Sequence, residues 1–225
     1  TLFRSVKYKD ISGPDGVPDG VIDDYDKTNI GSPMPKFTFG WTNTFRYKNF
    51  DLSVFINGSY GNKVYNYLSM KLTHMNSPWT NQLNAVNGRA QLVPINPNKV
   101  YEDGTMWYND VSNVMVANPG ASIPRATIND PNDNDRISDR YIEDGSYIRL
   151  KNISLGYTFP KKTIDKLGLS NLRIYANIQN LLTITGYDGY DPEIGASTSS
   201  VNVYGLDNGR YPSPTVYSFG LNVSF

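Results

Sequence analysis

The sequence predicts an all-β fold: about five long antiparallel strands from the wall of a transmembrane β-barrel, with long loops at one end. Three observations carry this reading. Five segments alternate apolar and polar residues with the period of two that a strand imposes on its side chains. The segments run to about ten residues, against about 5–6 in soluble sheets, and about 9–11 residues cross a bilayer as a tilted strand. The connections between them are alternately short and very long, which is the habit of outer-membrane barrels.

The elements follow in order. In "KFTFGWTNTFR", Phe37, Phe39, Trp41 and Phe45 share one face and Thr38, Gly40, Thr42 and Thr44 the other. A turn at Tyr47-Lys48-Asn49 leads into "FDLSVFINGSY", where Phe50, Leu52, Val54 and Ile56 oppose Asp51, Ser53, Asn57 and Ser59; Phe55 breaks the pattern. After a very long loop, "YIRLKNISLGYTF" starts with Ile148 and Leu150 on one parity and ends with Ile153, Leu155, Tyr157 and Phe159 on the other. That slip near Lys151-Asn152 predicts a β-bulge or a change of surroundings. A short connection, "PKKTIDKLGLSN" (160–171), has room for one helical turn. In "NLRIYANIQNLL", Leu172, Ile174, Ala176 and Ile178 oppose Arg173, Tyr175, Asn177 and Gln179. Residues 185–212 are again long. The last strand, "VYSFGLNVSF", sets Tyr217, Phe219, Leu221, Val223 and Phe225 against Ser218, Gly220, Asn222 and Ser224. Alternation of this kind suits a barrel, with apolar faces toward lipid, and also a soluble β-sandwich, with apolar faces toward a core.

Composition narrows the chemistry. The formal net charge is +0, so no field gathers nucleic acid. Cysteine is absent, which removes disulfides, thiolate metal sites and thiol nucleophiles. A single His, His74, removes most acid–base and Ser-His-Asp chemistry. No apolar run approaches the roughly 20 residues of a membrane helix. No signal peptide is visible and the first residue is Thr1, which reads as a processed product or a fragment.

Several stretches carry a family resemblance. "SDRYIEDGSYIRLKNISLGYTFP", "YDGYDPEIG" and "YPSPTVYSFGLNVSF", with "KNFDLSVFINGSYGNKVYN" and "IPRAT", resemble the C-terminal third of the SusC/RagA family of TonB-dependent outer-membrane transporters of Bacteroidetes. The resemblance covers nearly the whole chain and departs mainly within residues 73–120. It implies a 22-stranded barrel around an N-terminal plug, a SusD-like surface lipoprotein as a lid, and import of oligosaccharides or peptides energised through TonB. Partners would then be the plug and remaining strands of the same transporter, the lid, TonB through a preceding segment, and outer-membrane lipid. The resemblance assigns residues 1–33 to an acidic extracellular loop, 34–60 to a hairpin, 61–145 to a long extracellular loop and 146–225 to the last three strands. It also makes Tyr217, Phe219, Leu221, Val223 and Phe225 part of the signal read by the barrel-assembly machinery.

One stretch suggests a metal. "DISGPDGVPDGVIDDYD" (10–26) holds six Asp and no basic residue, and so many close carboxylates favour a hard cation. The EF-hand register starts at Asp10 and Ser12, crosses an insertion from Pro14 to Pro18, and resumes with Asp19, Gly20, the Val21 carbonyl, Asp23 and Asp26. Asp15, inside the insertion, offers a further ligand, and shorter family members resemble this run without it. Calcium is the expected ion; a solvated Asp/Gly/Pro turn cluster is the alternative. Other candidates are weaker. Asp191 and Glu193 lie two apart on a Pro-containing turn, which suits a turn better than a glycosidase pair. Asp133 and Asp135 read as a solvated loop, and His74, between Met70 and Met75 in a short helical segment, as a packing residue. Tyr101, Trp107 and Tyr108 suit loop packing or stacking on sugar rings. No catalytic residue is expected. The resulting function is nutrient import, with a secreted calcium-stabilised carbohydrate-binding sandwich as the alternative.

Overall fold

The computed structural model describes residues 5–194 and 204–225. Its elements in chain order are β1 (Phe37–Tyr47), β2 (Phe50–Tyr60), β3 (Lys63–Asn66), α1 (Tyr67–Thr73), β4 (Leu92–Pro94), β5 (Val114–Val116), β6 (Ile142–Asp144) and β7 (Tyr147–Thr158). They continue with α2 (Lys161–Ile164), β8 (Asn171–Thr185), β9 (Leu206–Asp207) and β10 (Val216–Ser224). The chain divides into two compact units. One joins Gly31–Tyr67 to Ile142–Phe225, and the other joins Thr1–Ile30 to Leu68–Tyr141.

The first unit is dominated by a five-stranded sheet in the order β1-β2-β7-β8-β10, antiparallel throughout. All five strands read from the alternation are present, at 9 to 15 residues each. Its register brings mostly like residues into line across the strands. One row across the sheet runs Phe45, Leu52, Leu155, Ala176 and Phe219; the next runs Arg46, Asp51, Gly156, Tyr175 and Gly220. A one-residue slip would exchange the faces, so the apolar rows fix the pairing.

The apolar face is uncovered. Trp41, Phe45, Leu155, Tyr217 and Leu221 are exposed, and Phe219 is 82% exposed. A sandwich would bury these side chains under a second sheet, whereas a barrel presents them to its surroundings. Rings gather at both ends of the sheet. Phe37 meets Tyr60 at 5.4 Å between centroids at the long-loop end. Tyr157 meets Phe50 at 4.6 Å and Phe159 at 5.0 Å at the short-turn end. No helix among the described residues is long and apolar enough to cross a membrane, which leaves crossing by strands open.

The slip at Lys151-Asn152 is a β-bulge. Leu150 pairs with Leu182 and Asn152 with Gln179, so Lys151 has no partner and Asn180 and Leu181 are looped out opposite it. Asn180 takes φ +53° there, a left-handed conformation that Asn tolerates. Phe55, the exception in β2, sits on the polar face with its ring against Gly40, 3.2 Å from where a Cβ would stand. Arg173 and Asp51 form an ion pair of 2.6 Å on that face, across β7. Gly156 makes it possible, because a Cβ there would lie 2.6 Å from Asp51 Oδ1 and closer still to Arg173.

The connections are more ordered than a bare loop. Residues 61–145 contain β3 to β6, with β6-β3-β9 forming a small sheet in the first unit and β4-β5 a hairpin in the second. Residues 160–171 form α2 and a 3-10 turn that ends on Gly168 at φ +68°. The loop read over 185–212 includes residues 195–203, which lie outside the described residues.

Candidate functional site

The polar face of the first unit ends, on the long-loop side, in a charged cluster that anchors the segment after β8. Arg149 stands on the polar parity of β7 and is 3% exposed. Its guanidinium donates to Asp191 and to Glu193 Oε2 at 2.7 Å, and its Nε donates to Thr183 Oγ1 at 2.8 Å. Lys151, the bulged residue, reaches the same Glu193 oxygen at 2.8 Å. Asp191 also accepts from the amides of Glu193 and Ser213, both at 2.9 Å. Burial pushes the Asp191 carboxyl up, but Arg149 and the two amides outweigh it and hold the group down at about 2. A second anchor lies nearby: the Tyr187 hydroxyl donates to Asp207 at 2.5 Å. Burial, then this hydrogen bond, raises the Tyr187 hydroxyl well above the ordinary phenol range.

These contacts give Asp191 and Glu193 structural partners. A glycosidase pair needs one proton-donating carboxyl and one free carboxylate; here both are engaged by the same Arg. The turn reading of "YDGYDPEIG" is thus explained by a buried cation on a distant strand. The clue was a lone Arg among small polar residues of a strand face, which must find a carboxylate if buried.

The acidic stretch lies in the second unit and folds around its own amides. Asp10 Oδ2 accepts from Gly20 N at 2.6 Å, and Gly20 has φ +87°, a conformation that favours glycine. These are positions one and six of the EF-hand register. Asp26 closes the ring, with Oδ1 accepting from Ile11 N at 2.7 Å and Ser12 N at 3.2 Å, and Oδ2 from Asp23 N at 3.0 Å. The Ile11 and Asp23 amides hold the Asp26 carboxyl below its usual range. Asp19 Oδ1 accepts from Val21 N, and Asp23 Oδ1 from Tyr25 N. Asp15 is exposed on the insertion. Asp10 Oδ1 is buried without a hydrogen-bond partner, an orphan that a hard cation would satisfy. Among the described residues, no three carboxylates of this stretch bring ligand atoms within 4.8 Å of one another.

Sequence reasoning missed a third cluster. His74 Nε2 lies 2.8 Å from Asp130, and Nδ1 lies 3.5 Å from Asp135. Asp130 is buried and also accepts from the Asn134 backbone amide and side chain. His74 is therefore wedged between two carboxylates on opposite edges of its ring. The ion-pairing Asp133 instead takes Arg136 at 3.1 Å. Tyr101 donates to Asp110 at 2.9 Å, the rings of the neighbours Trp107 and Tyr108 meet edge-on at 5.7 Å, and Tyr108 is exposed.

Comparison with known proteins sets these features in context. No protein-family model matches the chain. The chain is 36% identical over 211 residues to TonB-dependent receptor P3 of Formosa agariphila, covering 92% of this chain and 18% of that protein. It is 29% identical over 209 residues to TonB-dependent receptor SusC of Bacteroides thetaiotaomicron, covering 92% of this chain and 17% of SusC. Among solved structures, the RagAB peptide importer in its open-open state superposes with a TM-score of 0.62 at 19% identity, over 94% of this chain and 20% of that one. The chain therefore spans about a fifth of the length of its curated relatives. Fold and sequence together define the class: the chain is similar throughout to part of a TonB-dependent receptor. The resemblance to the SusC/RagA family holds, and these relatives are receptors and importers, not enzymes.

Proposed function

We propose that this chain forms barrel wall and outer loops of an outer-membrane, TonB-dependent nutrient importer of the SusC/RagA kind. The observation that carries the reading is the uncovered apolar face, continuous across five strands, on a sheet that superposes on RagAB. Strands of this length with lipid-facing apolar rows need no helix to span a membrane. On this reading the long connections face outward and the short turns face the periplasm. The cargo is an oligosaccharide or a peptide, a SusD-like lipoprotein closes the outer mouth, and TonB supplies energy through another part of the protein. Tyr217, Phe219, Leu221, Val223 and Phe225 would meet lipid and serve barrel assembly. Deleting the gene of the complete receptor should abolish growth on one class of glycan or peptide, and deleting TonB should do the same. Unchanged growth on every such nutrient would refute the reading.

The acidic loop supports a calcium staple. Asp10, Ser12, Asp19, the Val21 carbonyl, Asp23 and Asp26 would supply the oxygens, with Asp15 as a further ligand. The Asp10–Gly20 hydrogen bond and the orphaned Asp10 Oδ1 favour it. The ion would draw the carboxylates together and order the loop.

A further inference from the structure

The apolar face is not uniform. Near the short-turn end it carries a groove of about 560 Å³. Its floor is Ala176, which sits between the larger Leu155 and Phe219 in the same row. The next row toward the turns supplies Tyr157, Ile174 and Leu221. A small residue flanked by large ones leaves a trough one side chain deep, wide enough for a hydrocarbon chain. The rings of Phe50, Tyr157 and Phe159, tilted and edge-on to one another, form its rim on the turn side.

Beyond that rim the charge changes. The connection from β7 to β8 carries Lys161, Lys162 and Lys166 against a single acidic residue, Asp165. All three lysines are exposed, and none takes part in an ion pair among the described residues. Leu155 lies three residues inside the end of β7 at Thr158, and Lys161 opens α2 three residues beyond that end. An apolar trough, an aromatic rim and a basic cap thus follow one another in the order of a phospholipid's own parts.

We infer that this hairpin end holds one anionic phospholipid, with an acyl chain over Ala176 and the headgroup phosphate at Lys161, Lys162 and Lys166. The inference rests on the barrel reading above, since the groove must face a membrane. Charge complementarity favours lipid over a second copy of the chain, whose apolar face would bring no anion to the lysines.

The test uses the complete receptor in mild detergent, with equal amounts of phosphatidylglycerol and phosphatidylethanolamine, read by native mass spectrometry. The wild type should retain phosphatidylglycerol preferentially. Lys161→Gln, Lys162→Gln and Lys166→Gln should each weaken that preference, up to roughly fivefold per lysine. The three together should abolish it, and the corresponding Arg variants should keep it. Ala176→Phe fills the trough and should reduce retention of both lipids in protein that still inserts. Inserted receptor without a headgroup preference, a preference that survives the triple Gln variant, or a dimer in place of the lipid adduct would overturn the inference. A receptor that never partitions into detergent or bilayer would overturn the barrel reading itself, and this inference with it.

Discussion

Leu221 and Asn222 are neighbours in β10 and face opposite ways, in the rows of Ile174 and Arg173 respectively. Their substitution separates the two faces. Leu221→Arg places a charge on the apolar face, in the turn-side row of Phe50 and Tyr157, and should cost roughly 1–2 kcal/mol, between the midplane and interface values. Asn222→Arg should cost less, because it stays on the polar face, where its main penalty is like-charge repulsion from Arg173 directly opposite. Denaturant unfolding of the complete receptor in lipid would measure both, and equal losses would contradict the orientation. Arg149 makes a second prediction at this scale. Arg149→Ala would leave Asp191 buried without its cation, a kind of change that costs about 3–5 kcal/mol. It should release the segment after β8 to proteolysis. The same contact is pH-dependent. The folded carboxyl of Asp191 sits at about 2, below the unfolded value of about 3.9. Its stabilisation is therefore complete above the unfolded value and disappears as pH falls through about 2. Limited proteolysis by an acid protease across that window would report the loss.

At the scale of elements, the acidic loop and the β7 bulge illustrate two ways a segment is held. The bulge sets Lys151 free of the ladder, and Lys151 then reinforces Glu193 beside Arg149. The alternation in "YIRLKNISLGYTF" exposed that bulge, because a phase slip is visible along a single strand. The acidic loop is held by its own amides, and calcium should tighten it further. Calcium should protect residues 10–26 from hydrogen exchange, whereas magnesium should do so poorly, since it demands near-octahedral geometry and gives up water reluctantly. Asp10→Asn should weaken the calcium effect, because Asp10 brings the orphaned oxygen. No protection at millimolar calcium would leave the solvated-turn reading in its place.

For the whole molecule, the open edges decide behaviour. Within the described residues β1 and β10 each pair on one side only. Unpaired backbone groups in hydrocarbon cost several kcal/mol each, so the sheet needs further strands to lie in a membrane. Expressed by itself, the 225-residue chain should therefore aggregate in water and dissolve only in detergent or denaturant. A soluble monomer at micromolar concentration, measured by light scattering, would contradict this.

The five strands, their two faces and the slip at Lys151 were determined by the sequence alone, because each is a periodicity along one segment. The acidic stretch was equally visible, since its carboxylates are local. Pairing of β2 with β7, across the long intervening loop, was decided only by the tertiary structure. So were the grip of Arg149 on Asp191, 42 residues away, and that of His74 on Asp130, 56 residues away. The reason is physical. A strand's side-chain period is set by its own backbone geometry, whereas partners far apart in the chain meet only once register and loop closure have been settled together.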